Sequence, residues 1–264
     1  MKAYDFEYDG ITLSNFGFIV CSFDYDDTET ISNGSQITFN TVSMLNGAKH
    51  ESTGTTFESC LETVIQICKN PCKYDSLEIS VNELRRLSRW LNRKQFHKLK
   101  ILNEEYLNLY FEASFNVSQI VIGGKVCGLE LEMRTNRPFA LQEPISFTFE
   151  HTDVSQEQHL KDFSDVEGFI YPEMEIILDE AGDLDIYNAK EDRTTHIANC
   201  LAGETITMKY PIITTDSDEH KIQNDFNWVF FRLANNFKDS TNHVTISLPC
   251  KVKMTYTPPV KVGI

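Results

Sequence analysis

A single predicted helix organises this chain, and it is encoded by Ser80-Val-Asn-Glu-Leu-Arg-Arg-Leu-Ser-Arg-Trp-Leu-Asn-Arg-Lys-Gln-Phe96. Ser80 and Glu83 have capping-box spacing, so each side chain can accept a hydrogen bond from the other residue's backbone N–H. Apolar residues recur at three- and four-residue steps and predict one buried stripe, formed by Val81, Leu84, Leu87 and Leu91. We therefore expect a helix over residues 81–96 with one face in a core.

Another face of this helix is predicted to be basic, in a protein whose formal net charge is −15. Such a ridge fits either a solvated face or a docking surface for a second copy or an acidic neighbour. The acidic run over residues 24–29 fits a solvated loop, a cation site or the electrostatic partner of the ridge in a neighbouring copy. The candidate interface residues are Arg85, Arg89, Arg93, Asp24, Asp26 and Asp27.

The balance of basic and acidic residues argues against two classes of function. Up to Leu141 the sequence has 14 Lys and Arg against 18 Asp and Glu, and after it 10 against 21. This balance argues against a general nucleic-acid binder and against docking on anionic membranes, because both need an excess of basic residues. No apolar run is long enough to span a bilayer, and the charged N-terminus is unlike a secretory signal. We therefore expect synthesis in a cytoplasm.

Alternating and apolar runs separated by polar turns predict strands in the rest of the first half. These are residues 4–8, 17–23, 36–44, 57–69, 98–102, 107–117 and 120–134, the last interrupted at Gly123-Gly124. A bulge or a turn is the expected role of the two glycines. A proline-marked stretch, residues 136–144, closes this half and places a domain boundary between residues 141 and 142.

The second half reads as short strands without a helix between them. They are residues 145–150, 169–178, 184–188, 194–199, 205–210, 228–233, 244–248 and 251–256. A Gly-containing loop, residues 179–183, predicts a hairpin between residues 173–178 and 184–188. This spacing is typical of a β-sandwich or jelly roll. The predicted fold class is mainly β (α+β), with strands and the helix in residues 1–141 and a β-sandwich in residues 142–264.

Histidines and cysteines offer no recognisable metal or catalytic motif. The seven histidines stand outside metalloprotease and nucleophile motifs, and His151 and His159, which frame an acidic linker, are expected to be solvent-exposed. Cys68, Cys72 and His97 lack the second ligand pair that structural zinc usually needs. The odd number of cysteines, seven, and their apolar surroundings predict reduced, mostly buried thiols. We predict no metal, no cofactor and no catalytic residue.

Two further features have both an ordinary and a functional interpretation. Glu173 and Glu175 lie on one face of a predicted strand, which indicates a solvated face more readily than a catalytic carboxylate pair. Trp228 stands in the apolar run Phe226–Leu233, which favours core packing over stacking against a sugar ring. Trp228 is retained as a candidate carbohydrate contact.

The order of these elements resembles the distal tail proteins of long non-contractile-tailed bacteriophages. The N-terminus resembles the beginning of the family's sequence. The helix and the strand after it resemble the family's single helix and its next strand. Three later stretches resemble its C-terminal sandwich. The stretches are Tyr4-Asp-Phe-Glu-Tyr-Asp-Gly-Ile-Thr-Leu-Ser-Asn-Phe-Gly-Phe-Ile-Val-Cys21, Arg89-Trp-Leu91 with Phe96-His-Lys-Leu-Lys-Ile101, Gly182-Asp-Leu-Asp-Ile-Tyr-Asn188, Leu201-Ala-Gly-Glu-Thr-Ile-Thr207 and Asn242-His-Val-Thr-Ile-Ser247.

The resemblance implies a ring-forming N-terminal domain, usually hexameric, and a peripheral galectin-like C-terminal domain. Such a ring joins the tail tube to the baseplate or tail tip and surrounds the channel through which DNA leaves without specific binding. The implied partners are further copies, the tail tube protein, a tail hub or tail-associated protein and a receptor-binding protein. The family has no catalytic residues to carry over. The His-Asn-Arg and Trp-Gly-x-x-Arg patterns of true galectins do not occur here, so fold alone does not imply sugar binding.

Three alternatives stay open at the level of sequence. The second domain alone fits a carbohydrate- or receptor-binding module for attachment to a host cell surface. The abundant acidic residues also allow a hydrolase, which requires a pocket with converging carboxylates. The same component also fits a prophage-derived tail particle or a tail-like bacteriocin.

Overall fold

The chain is described by a computed structural model over residues 3–23, 36–57, 60–152, 156–236 and 238–262. It is mostly β-strand with little helix, which confirms the predicted mainly β fold class. The chain divides into two compact units, Met1–Gln142 with Lys261–Ile264, and Glu143–Val260. Neither helix in these ranges combines the length and apolar character needed to cross a membrane.

The first unit is built on one antiparallel sheet. Its main order is β2-β1-β7-β8-β9-β6-β3, and β10 pairs with β8. A separate two-stranded hairpin is formed by β4 and β5. The strands are β1 (Phe6–Tyr8), β2 (Ile11–Thr12), β3 (Phe18–Cys21), β4 (Ile37–Met44), β5 (Lys49–Phe57), β6 (Glu62–Lys69), β7 (His97–Ile101), β8 (Leu109–Ile122), β9 (Lys125–Thr135) and β10 (Ala140–Gln142).

Helix α1 (Val81–Leu91) begins at the predicted capping box. The backbone N–H of Ser80 donates to Glu83 Oε2 at 2.8 Å, and the backbone N–H of Glu83 donates to Ser80 Oγ at 3.4 Å. The predicted stripe is only partly right, because Val81 is 80% exposed in the first turn. Trp90 takes part in the core instead, and its Nε1–H donates to the Tyr8 carbonyl at 3.0 Å.

The helix ends at Leu91 and does not continue to Phe96 as predicted. Asn92 leaves the helical conformation with φ −82° and ψ 85°. The next residue, Arg93, is held by the sheet, since Ser114 Oγ donates to the Arg93 carbonyl at 2.7 Å. The tertiary contact thus competes successfully with the helical propensity of the Arg-Lys-Gln segment.

Two strand boundaries in the first unit differ from the predictions. Gly123-Gly124 forms the turn between β8 and β9, so the strand predicted over residues 120–134 belongs partly to each. The strand predicted from residue 57 begins at Glu62, and residues 49–57 form β5, which the sequence did not suggest because its run is polar. Leu61, just before β6, and Ile65 and Ile67 within it are buried on one side, as the alternation predicts.

The second unit is a β-sandwich whose two sheets share one core. The five-stranded sheet has the order β11-β21-β14-β17-β18, the four-stranded sheet has the order β12-β20-β15-β16, and β13 pairs with β19. The elements are β11 (Ile145–His151), β12 (Glu157–Lys161), β13 (Gly168–Ile170), β14 (Glu173–Leu178), β15 (Gly182–Asn188), β16 (Arg193–Cys200), β17 (Thr205–Lys209), β18 (Ile212–Thr215), α2 (Ile222–Asp225), β19 (Leu233–Asn235), β20 (Thr241–Ile246), β21 (Cys250–Tyr256) and β22 (Pro259–Val260).

The predicted hairpin between residues 173–178 and 184–188 is wrong. Strand β14 pairs with β17 and β21, whereas β15 pairs with β16 and β20 in the other sheet. The connecting loop therefore crosses from one sheet to the other. Both strands bury alternate residues, Met174 and Ile176 in β14, and Leu184 and Ile186 in β15, in the shared core. Alternation is the same for a hairpin and for a crossing between sheets, so it does not distinguish them.

Two other predicted strands are shorter or absent in the second unit. The run over residues 169–178 is divided at Pro172, which lacks the N–H that a continuous ladder needs. The run over residues 228–233 contributes only Leu233 to a strand. Its backbone turns at Trp228, which has φ 59°, and Asn227 Oδ1 accepts the backbone N–H of Val229 at 3.0 Å.

Candidate interaction surfaces

The predicted arginine ridge is divided by the end of α1. Arg85 and Arg89 lie on the exposed face of the helix. Arg93 lies beyond the helix and its Nη1 donates to Asp9 Oδ2 at 2.8 Å. Among the residues that the structure describes, Arg85 and Arg89 have no ion-pair partner, so they remain available to another chain.

Arg93 is engaged within its own unit. Its guanidinium lies 4.9 Å from the ring centroid of Tyr8, a cation–π contact, and its hydrogen bond to Asp9 lowers the pKa of that carboxyl. The contact ties the segment after the helix to the β1–β2 turn. Of the three arginines, Arg85 and Arg89 lie on the exposed face of the helix, and a role of any of them in an interface stays a prediction. Asp24, Asp26 and Asp27 lie outside the described residues.

The β4–β5 hairpin exposes several large apolar side chains of the first unit. Almost every residue of the two strands is exposed, including Phe39 at 65% and Val42 at 52%. Because successive side chains of a strand point to opposite faces, Phe39 and Ile37 share one face, and Val42 and Met44 the other. A bulge between Asn40 and Thr41 adds local twist. An isolated two-stranded hairpin is marginally stable at best in water, so this one needs a covering surface.

A groove on the first unit bears on the hydrolase alternative. It has a volume of about 610 Å³ and is lined by two carboxylates, Glu62 and Glu132. Glu62 pairs with Arg134 at 2.7 Å, and Glu132 Oε2 accepts from Asn116 Nδ2 at 3.4 Å. Both carboxylates are thus held by neighbouring side chains. Glu173 and Glu175 are exposed on β14, as a solvated face predicts.

Trp228 is 57% exposed, so the prediction that it packs in the core is wrong. Phe226, Phe230 and Phe231 fill the core of this segment. The left-handed backbone at Trp228 directs its indole outward, where it meets the Phe226 ring at a centroid distance of 5.7 Å. An exposed indole beside a second ring is able to stack against an apolar face of a ligand.

Histidines of the second unit form contacts that the sequence did not predict. His151 is fully buried rather than exposed, and within the described ranges neither of its ring nitrogens has a hydrogen-bond partner. His159 is exposed as predicted, but β12–β20 pairing places it beside His243 and Glu157. The sequence does indicate that Glu157 and His159 lie side by side, since residues two apart in a strand share one face.

A buried polar cluster lies at the turn before β17. Glu204 accepts hydrogen bonds from the Leu201 backbone N–H at 2.8 Å, from Thr215 Oγ1 and from His220 Nδ1 at 2.6 Å. Cys200 completes a group of three potential metal ligands. Because three donors already occupy the carboxylate, the cluster acts as a structural anchor for the Leu201–Thr207 segment.

The seven cysteines are all free thiols, and only Cys200 and Cys250 are buried. The expectation of mostly buried thiols is therefore wrong, since Cys72 is exposed and the other four are half-buried. Burial raises the pKa of both the Cys200 and Cys250 thiols to about 12. These two thiols behave as small apolar side chains in the sandwich core.

Two family models together cover most of the chain. One described as "Phage tail protein N-terminal domain" matches residues 1–137, and one described as "Phage tail C-terminal domain" matches residues 139–256. The chain belongs to this family of phage tail proteins, a structural component of the virion tail.

A comparison with solved structures identifies a protein with a similar fold. Dit (gp 19.1) of SPP1, presented as a paradigm of the hub adsorption apparatus in phages that infect Gram-positive hosts, matches with a TM-score of 0.67 and 10% identity. The match covers 97% of this chain and 99% of that chain. The fold is therefore Dit-like, which confirms the resemblance to distal tail proteins. A search of curated proteins found no match.

Proposed function

We propose that this chain forms a closed ring, a homohexamer, that acts as a hub at the distal end of the phage tail. The ring connects the tail tube to the baseplate or tail tip and surrounds the DNA channel. It is made in the host cytoplasm and assembles with the tail tube protein, a tail hub or tail-associated protein and a receptor-binding protein. Its first unit, Met1–Gln142 with Lys261–Ile264, forms the ring, and a galectin-like second unit, Glu143–Val260, lies at the periphery.

The β4–β5 hairpin is the observation that carries this proposal. Its faces expose Ile37, Phe39, Val42 and Met44, and a free hairpin of this kind is an aggregation hazard unless another surface covers it. A ring needs two different complementary patches on each subunit, and a protruding hairpin that docks on the next copy supplies one of them. Homo-oligomeric association is the natural way to bury both faces.

Charge supports the same arrangement. Arg85 and Arg89 form an exposed cationic pair on a protein of net charge −15, so an acidic patch on the adjacent copy would steer and align them. An overall acidic ring also repels the DNA backbone, which permits passage without specific binding.

The test is the mass of the purified chain across a concentration series, compared with a Phe39→Ser/Val42→Ser double variant. Burying these two partly exposed side chains contributes about 3 kcal/mol per interface, so the variant is expected to associate about 100-fold more weakly. Ile212→Asn, at an equally exposed apolar residue of the second unit, is the matched control.

Sedimentation velocity and native mass spectrometry provide the readout, and near-ultraviolet circular dichroism verifies folding. Equal association by the wild type and the double variant would contradict the role of the hairpin. A wild-type chain that stays monomeric, both alone and with the tail tube protein, would contradict the ring. An Arg85→Glu/Arg89→Glu variant tests the charged patch without breaking the contact between Arg93 and Asp9.

A second candidate function, attachment to a cell-surface carbohydrate, is favoured by the exposure of Trp228. Indole stacking against a sugar ring is expected to contribute the largest part of such binding. A glycan array and a cell-wall pull-down with the full chain, compared with Trp228→Ala, test it. Tyr210→Ala, at another exposed ring of the same unit, is the control. Identical profiles for the wild type and Trp228→Ala would contradict carbohydrate binding at this residue.

A further inference from the structure

Three potential metal ligands meet on the outer face of the four-stranded sheet. Strand β12 lies at the edge of this sheet and pairs antiparallel with β20, with His159 directly opposite His243. Glu157 precedes His159 by two residues and shares its face. The adjacent residues Leu160 and Val244 point into the core, so the three polar side chains point to solvent.

The distances within this group fit one small cation. Glu157 Oε2 lies 3.1 Å from His159 Nε2, and Glu157 Oε1 lies 3.3 Å from His243 Nδ1. One ligand atom from each of the three side chains lies within 4.8 Å of the others. Ligands bound tetrahedrally at 2.0–2.1 Å stand about 3.3 Å apart, so a small closure of the three side chains completes the geometry.

We propose that Glu157, His159 and His243 bind a divalent transition-metal ion of the zinc class. Two imidazoles and one carboxylate are a ligand set that suits zinc, and three protein ligands leave a fourth position for water. The cross-strand pairing fixes the imidazoles without any rearrangement of the backbone. The inference is independent of the ring proposal, because it concerns one face of the second unit.

Charged residues of both signs lie near this group. Asp239 interacts electrostatically with His243, and Lys190 is the cation that pairs with Asp239, at 3.3 Å. Lys161, the next outward residue on β12, lies 5.4 Å from the Phe163 ring centroid. Both carboxylate oxygens of Glu157 face an imidazole, Oε2 that of His159 and Oε1 that of His243.

The buried group Cys200, Glu204 and His220 is the natural contrast. Its carboxylate already accepts three hydrogen bonds, and the group is sealed in the core. In the surface group the carboxylate contacts only the two imidazoles that would become its fellow ligands among the described residues. The surface group is therefore the one that exchanges an ion with solvent.

Calorimetric titration of the full chain with Zn²⁺ tests the proposal. The His159→Gln/His243→Gln variant is expected to lose one equivalent of bound Zn²⁺, while Glu157→Gln weakens that equivalent by at least about tenfold. His196→Gln is the matched control, because His196 pairs with a single carboxylate, Asp185, at 2.7 Å on the same sheet. The control is expected to bind like the wild type.

The pH dependence gives a second readout. Metal ligation requires unprotonated imidazoles, so protons compete with Zn²⁺ and the affinity is expected to fall at least about tenfold from pH 7.5 to pH 5.5. Zn²⁺ should also raise the unfolding temperature of the wild type and of His196→Gln, but not that of the double variant. The proposal would be overturned if the double variant bound Zn²⁺ with the stoichiometry and affinity of the wild type. It would also be overturned if the double substitution changed the unfolding temperature but left Zn²⁺ binding unchanged.

Discussion

Replacement of Glu204 by Gln tests the physical account of the second unit most directly. Glu204 lies in the Leu201–Thr207 segment that resembles the C-terminal sandwich of distal tail proteins, and its carboxylate is fully buried. Three donors converge on it, from Leu201, Thr215 and His220. A glutamine has the same shape but presents an NH₂ group to at least one of these donors.

The expected loss of stability follows from the number of hydrogen bonds that the Glu204 carboxylate accepts. A buried donor left without a partner costs about 1–3 kcal/mol, and more where the lost acceptor is charged. Because the remaining amide oxygen still accepts hydrogen bonds, we expect Glu204→Gln to lower the free energy of unfolding by about 3 kcal/mol. For a unit of this size that corresponds to a decrease of roughly 10 °C in its melting temperature.

Denaturant unfolding and hydrogen exchange measured by mass spectrometry provide the assay. Peptides from β17 and β18 are expected to exchange faster, while peptides from the first unit serve as an internal reference. Glu219→Gln, at an exposed carboxylate just before His220, is the control and is expected to match the wild type. A Glu204→Gln protein within about 0.5 kcal/mol of the wild type would refute the reasoning.

Two further predictions concern protonation and thiol reactivity. In the folded chain, the hydrogen bond from Arg93 holds the pKa of Asp9 below its ordinary value of 3.8. The contact therefore stabilises the fold above pH 3.8, and this stabilisation is lost as the pH falls through the lowered pKa. Thermal melts of Asp9→Asn should therefore lie below those of the wild type at pH 7 and converge with them in acid; a constant offset would contradict the contact. Iodoacetamide should label the exposed Cys72 well before Cys250, because burial raises the pKa of the Cys250 thiol to about 12. Peptide mapping measures the two labelling rates, and equal rates would argue against this burial.

The capping box and helix α1 were predictable because their determinants are local. Ser80 and Glu83 are three residues apart, and their hydrogen bonds form within one turn. The end of the helix was not predictable from its own residues. Arg93 leaves the helix to meet Asp9, and these residues are 84 positions apart in the sequence.

The β12–β20 site shows the same limit. The sequence places Glu157 and His159 on one strand face, but nothing local indicates that His243 lies opposite. The error over residues 173–188 has a similar origin. Both strands alternate as predicted, yet their partners are β17, β21, β16 and β20, which the intervening loop does not specify.

The amino-acid sequence by itself determined the acidic character, the mainly β class, the capped helix and the likeness to phage tail proteins, because composition, alternation and capping act over a few residues. Only the tertiary structure decided which strands share a sheet, that the β4–β5 hairpin is exposed on both faces, that Trp228 points outward and that His159 meets His243. These features depend on pairing between distant segments. That pairing is selected by burial of a shared core, and no single segment contains it.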